Sequence, residues 1–233
     1  MIDRSFIEKI EEMSKAEIID VCGLSYATKK LNPVDDPAPA ALSISTLTGI
    51  VDYVQLNYLE DGAHFIHVGS AFAKVIDVGQ TKFGNWKVRL VAEAIQNKFS
   101  FGNFYDVESF NIALQAYFVQ DDAIRSILSI VGNLSDGLVR SFSDDGITQE
   151  VTAKVGITRK ENLAVPNPVT LLPYRTFIEV EQPASQFVFR MRSGDKSPSC
   201  ALFEADGGLW KNEAIQNIKA WLRERLPSMA IIA

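Results

Sequence analysis

Arg175, Arg190, Arg192 and Phe177 stand close together in the stretch LPYRTFIEVEQPASQFVFRMR, residues 172–192. A guanidinium offers a rigid fork of N–H donors, so such a cluster could hold a carboxylate or phosphate. An exposed phenylalanine beside it could anchor a protein partner. These four residues are the candidate partner- or anion-binding face. The competing reading is a solvated sheet face on which Glu179 and Glu181 balance the arginines, since surface charge pairs contribute little.

Other chemistry is poorly represented. His64 and His67 are the only histidines. At that spacing on a strand they point to opposite faces and cannot readily share a metal. Cys22 and Cys200 are far apart in the chain and give neither a zinc spacing nor a disulfide framework. The glycine-bracketed loop Gly79–Gly84 outlines a phosphate loop, but Asn85 and Trp86 stand where lysine and a magnesium-binding hydroxyl are required. Ser193 and Lys196 match a short Ser-x-x-Lys pattern without its companion motifs. The adjacent acids Asp121–Asp122 and Asp144–Asp145 read as a helix cap and a turn. No catalytic, metal-binding or cofactor-binding residue is therefore assigned, and the expectation is a protein that is not an enzyme.

The elements that would position the arginine cluster follow from periodicity. Tyr174, Thr176, Ile178 and Val180 alternate before Gln182-Pro183-Ala184-Ser185, and Phe187, Phe189 and Met191 alternate after it. This predicts a central hairpin. Val180 would face Phe187 in the core, with Arg175, Phe177, Arg190 and Arg192 on the opposite side. Helices are predicted after Asp3 or Ser5, after Ser45, after Asp106, after Asp121 or Asp122, and from Trp210 to Leu226. Gly132-Asn133 reads as a helix stop. Strands are predicted over residues 63–68, 72–78, 86–92 and 200–204. Trp86, Val88 and Leu90 would point inward, with Lys87 and Arg89 outward. A second hairpin is predicted about Asp144-Asp145-Gly146, with Ser143 opposite Ile147, Arg140 opposite Glu150 and Val139 opposite Val151.

Helices and strands are segregated, with strands in neighbouring pairs. The fold class is α+β: antiparallel sheet built from hairpins, with amphipathic helices packed on one face, the C-terminal helix included. The 233 residues read as a single domain, with a helix, an extended segment and a proline-rich connector over 1–40 and the main body over 41–233.

The charged, amphipathic start MIDRSFIEKIEEMSK lacks a signal peptide's apolar block, which predicts a cytoplasmic protein with no membrane association. The net charge of −6 disfavours phosphate backbones as partners.

Two stretches carry a family likeness. One is ALSISTLTGIVDYVQ with the strand region HFIHVGSAFAKVID. The other is an Asp-Gly hairpin followed by VPNPVTLLPYRTFIEV, FVFRMR and a closing amphipathic helix. In these the chain resembles the YfdQ-like family of uncharacterised phage and prophage proteins. The resemblance implies a viral or prophage origin and work in the host cytoplasm, and it transfers no catalytic residue.

The leading expectation is a non-catalytic phage accessory protein that forms a homo-oligomer and binds a phage or host protein. One alternative is a nucleic-acid accessory protein in phage recombination, resting on Lys87, Arg89, Arg190 and Arg192. Another is a small-ligand-binding protein that blocks a host defence signal, which requires a pocket with convergent polar groups.

Overall fold

A computed structural model of the chain describes residues 3–30, 40–56, 63–80, 84–95, 99–135, 139–144, 149–155, 159–164, 167–192 and 198–233. Contacts divide the chain into two units, Met1–Pro39 with Gln80–Asn85, and Ala40–Gly79 with Trp86–Ala233.

The first unit holds helix α1 (Arg4–Ser14) and strands β1 (Ile18–Val21) and β2 (Leu24–Ala27). The strands pair antiparallel, Ile18 opposite Ala27. None of these residues is buried, and the predicted stripe of Phe6, Ile7, Ile10 and Met13 lies exposed.

The second unit contains two cores. The first lies between helices α3 (Val107–Tyr117) and α4 (Asp122–Ser135) and an antiparallel sheet. That sheet comprises β11 (Val169–Leu171), β12 (Ser185–Arg192), β13 (Ser199–Glu204) and β7 (Tyr105–Asp106), in that order. Both helix starts were legible. The Asp106 side chain accepts from Ser109 N at 2.9 Å and Asp121 from Ile124 N at 2.8 Å. Phe110, Phe118, Phe187 and Phe189 fill this core, with Phe110 stacked on Phe189 at 5.7 Å between centroids. Helix α4 runs through Gly132 and Asn133 instead of stopping there. A glycine inside a helix costs only about 1 kcal/mol, which burial of Ile124, Ile127, Ile130 and Val131 outweighs.

The second core lies against a mixed sheet ordered β14 (Ala230–Ile232), β4 (His64–Val68), β5 (Phe72–Gln80), β6 (Trp86–Glu93) and β3 (Leu42–Ile44). Helices α2 (Leu47–Gln55) and α5 (Trp210–Arg225) cover it through Leu47, Ile50, Val51, Ile218 and Leu222. The Thr46 hydroxyl, not Ser45, caps α2 by accepting from Gly49 N. The edge pairs β14–β4 and β3–β6 are parallel, so this sheet is not made of hairpins alone. Leu90 and Ala92 are buried, whereas Trp86 is exposed and Arg89 is largely covered. The predicted inward and outward sets on β6 are therefore only partly right.

A third sheet joins β8 (Val139–Asp144), β9 (Gln149–Val155) and β10 (Arg159–Ala164) in the order β10-β9-β8. Here Ser143 opposes Glu150, and Val139 opposes Ala153 across an irregularity. The expected register was wrong because pairing Asp144 with Gln149 leaves four connecting residues, not three. Those residues, 145–148, lie outside the described ones.

The largest departure from expectation concerns the central hairpin. Strand β12 alternates as predicted, with Phe187, Phe189 and Met191 buried, but it pairs with β11 and β13. Residues 172–184 form no regular strand beyond a single bridge of Pro173 to Phe118. This segment instead crosses from one core to the other. Leu171 belongs to the first core, and Phe177 and Val180 belong to the second.

The Gln182 amide supplies what a strand ladder would have. Its Oε1 accepts from Arg175 N at 3.0 Å and Thr176 N at 3.3 Å, and its Nε2 donates to the carbonyls of Phe177 and Val180. A buried backbone must find partners, and one glutamine meets four of these needs. Glu179 of the same segment is partly buried against the start of α2, where its Oε1 accepts from Leu47 N at 2.8 Å.

Candidate functional site

The crossing segment carries the residue on which the site is built. Arg175 is only 6% exposed. Its guanidinium carbon lies 4.4 Å from the Phe101 ring centroid, 4.8 Å from that of Trp210 and 5.2 Å from that of Phe187. Such ring contacts stabilise a cation through the aromatic quadrupole. Burial lowers the pKa of Arg175, while the charges of Glu204 and Asp206 act in the opposite direction. An arginine in this setting stays cationic.

Around Arg175 opens a cavity of about 490 Å³ lined by Phe99, Phe101, Glu204, Gly207, Gly208, Trp210 and Lys211. Three chain regions meet there. Phe99 and Phe101 come from the loop before β7, which is tied to β13 by Gly102 N donating to Leu202 O at 2.8 Å. Glu204 ends β13. Gly207 and Gly208 form the turn into α5, both at positive φ, where a side chain is disfavoured. A Cβ at either glycine would meet nothing within 4 Å, so the turn borders open space.

Two carboxylates face the guanidinium in different ways. Glu204 Oε1 lies 2.9 Å from Arg175 Nη2, but its side chain is 45% exposed. Nη2 gains no aligned hydrogen bond from it. Asp206 is fixed more firmly. Burial pushes its carboxyl up, yet the N–H groups of Gly208 and Trp210, the Ser185 hydroxyl and the Arg175 charge hold it below the usual carboxylate range. Asp206 thus occupies the anion position at the start of α5. The site combines a buried cation, an exposed rim cation at Lys211, aromatic walls and a half-exposed carboxylate. This set can bind and orient a molecule of modest size.

The predicted face is divided. Arg190 and Arg192 do share a side of β12, opposite Phe189 and Met191. Arg192 Nε donates to Ser199 Oγ at 3.0 Å, and its guanidinium lies 4.0 Å from the Phe104 centroid. Arg175 and Phe177 do not join them, because both are buried once residues 172–184 leave the sheet. Of the four residues, only Arg175 reaches the cavity. The other lining residues were missed in the sequence. The signal nearest to them was Asp206-Gly207-Gly208 immediately before an amphipathic helix.

The remaining candidates have ordinary surroundings. His64 Nδ1 lies 2.9 Å from Asp77 Oδ1, and Arg89 Nε donates to the same carboxylate. His67 packs edge-on against Phe72. Among the described residues no cluster of three or more His, Cys, Asp or Glu is placed to hold a metal, and no helix is long and apolar enough to cross a membrane. Cys200 is buried, which pushes its thiol up to about 12, and Cys22 is exposed. Residues 81–83 of the glycine-bracketed loop and the stretch Ser193–Lys196 lie outside the described residues.

No family model, curated protein or solved structure matches the chain.

Proposed function

We propose that the protein is a non-catalytic small-ligand-binding protein, and that its binding site is the cavity around Arg175. The observation that carries this reading is a buried guanidinium facing a cavity of about 490 Å³ among Phe99, Phe101 and Trp210. The cavity's volume falls within the range of about 300–1,000 Å³ usual for ligand pockets, and its exposed lining is more polar than apolar. The family resemblance supports a phage or prophage origin. In the host cytoplasm such a protein would sequester or sense a small molecule, including a defence signal.

The test is extraction. Protein purified quickly from bacterial cells and then denatured should release a small molecule, detected by mass spectrometry, in amounts approaching one per chain. An Arg175→Met variant should release none. Equal recovery from both proteins would disprove the site assignment.

A second reading, self-assembly, is favoured by the first unit. An eleven-residue helix and a two-stranded hairpin without a buried residue are marginal structures alone. The exposed Phe6, Ile7, Ile10 and Met13 are suited to packing on another copy of the chain. Light scattering should then show an oligomer that Ile10→Asp dissociates. A wild-type monomer would dismiss this reading. The nucleic-acid reading has less support, because Arg89 is engaged by Asp77 at 2.9 Å.

A further inference from the structure

We infer that the ligand is a planar aromatic anion that replaces Glu204 on the Arg175 guanidinium, an assignment that rests on the ligand-binding reading above. Arg175 Nη2 is the one side-chain nitrogen or oxygen of the cavity lining that is buried without an aligned hydrogen bond among the described residues. A buried charged donor of this kind is best satisfied by an acceptor that can approach along its N–H bond.

Glu204 supplies charge at 2.9 Å without that alignment. Its side chain is nearly half in solvent, so it can swing into water at little cost. Glu204 therefore behaves as a displaceable stand-in for an incoming carboxylate or phosphate. Asp206 is held in place, because Gly208 N donates to its Oδ1 at 2.9 Å, while its Oδ2 is buried without a hydrogen-bond partner. The start of α5 is thereby already neutralised, and the place left for an incoming anion is Arg175, with Lys211 on the rim.

The walls set the rest of the ligand. Trp210, partly exposed, offers ring surface beside the guanidinium, whereas Phe99 is buried and Phe101 stacks on Phe187 at 5.1 Å. An aromatic ring can stack on Trp210, whereas an aliphatic anion would cover that ring less well. A neutral aromatic would leave Nη2 without its acceptor, and a cation would meet Arg175 and Lys211.

The test is calorimetric titration of the full chain and of Glu204→Gln, a rim substitution that disturbs no core contact. The probes are 2-naphthoate and adenosine monophosphate, each paired with its uncharged counterpart, 2-naphthamide and adenosine. At least one anion should bind the wild type about tenfold tighter than its counterpart. Glu204→Gln should tighten that anion by a further factor of about ten and leave the neutral compound unchanged. Which anion responds distinguishes a carboxylate ligand from a phosphate ligand. Equal affinity for charged and uncharged members, no gain on Glu204→Gln, or no binding of any probe at millimolar concentration would overturn the assignment. If a compound still copurifies in an Arg175-dependent manner, the ligand-binding reading stands without it; if none does, both fail.

Discussion

Phe177→Ala should destabilise the protein by about 3–5 kcal/mol, the usual cost of emptying a phenylalanine site in a core. Its neighbour Ile178→Ala should cost less than about 0.5 kcal/mol, as surface substitutions do. The contrast follows from their positions, since Phe177 is 1% exposed and Ile178 is 81% exposed. A regular hairpin strand through residues 172–180 would reverse the order, with Ile178 inside and Phe177 outside. Denaturant melts of the two variants decide between the arrangements. Phe189→Ala should lose a similar 3–5 kcal/mol under either arrangement, because Phe189 is fully buried, and so serves as the reference for a core loss.

Why one half of that stretch was legible and the other was not has a physical reason. Period-2 alternation reports which side chains are buried. On β12 burial and pairing agree, so Phe187, Phe189 and Met191 could be placed from sequence. Between Tyr174 and Val180 the alternation is accidental. The deciding interactions are hydrogen bonds between the Gln182 amide and four backbone groups, two accepted and two donated, and these leave no periodic trace. The helices were legible because caps and apolar stripes lie close together in sequence, as at Asp106 and Asp121, although the cap of α2 fell on Thr46, one residue past the expected Ser45. The parallel edge strands β3 and β14 were missed because each has three residues and its partner lies far along the chain. The cavity was illegible for a similar reason. It needs Phe99, Arg175, Glu204 and Trp210 to converge, and no local motif joins them.

Arg175→Met should abolish ligand binding while leaving stability within about 1 kcal/mol of wild type. A buried ion pair is often no more stabilising than apolar residues of similar volume. Here the partner Glu204 is half exposed and can return to water, and Asp206, which loses the Arg175 charge, keeps its hydrogen bond from Gly208 N. Methionine fills similar space between Phe101, Phe187 and Trp210 and makes favourable sulfur–ring contacts. The lost cation–ring attraction is offset by removing the desolvation that lowers the arginine's pKa. Thermal melts that match wild type, together with lost binding, would mark Arg175 as a residue whose burial serves recognition. A collapse in stability would make it a structural residue instead.

The most direct measurement is the nuclear magnetic resonance spectrum of the three tryptophan indole N–H groups, assigned by single Trp→Phe substitutions. Only Trp210 lines the cavity. Trp86 packs on Phe65, and Trp221 packs at the second core beneath Arg225, so both act as internal controls. On adding the low-molecular-mass fraction of a bacterial lysate to protein freed of copurified compounds, the Trp210 signal should shift. Those of Trp86 and Trp221 should stay in place, and Arg175→Met should show no shift. A Trp210 signal that stays fixed, or one that moves equally in the Arg175→Met protein, would contradict a ligand site built on Arg175.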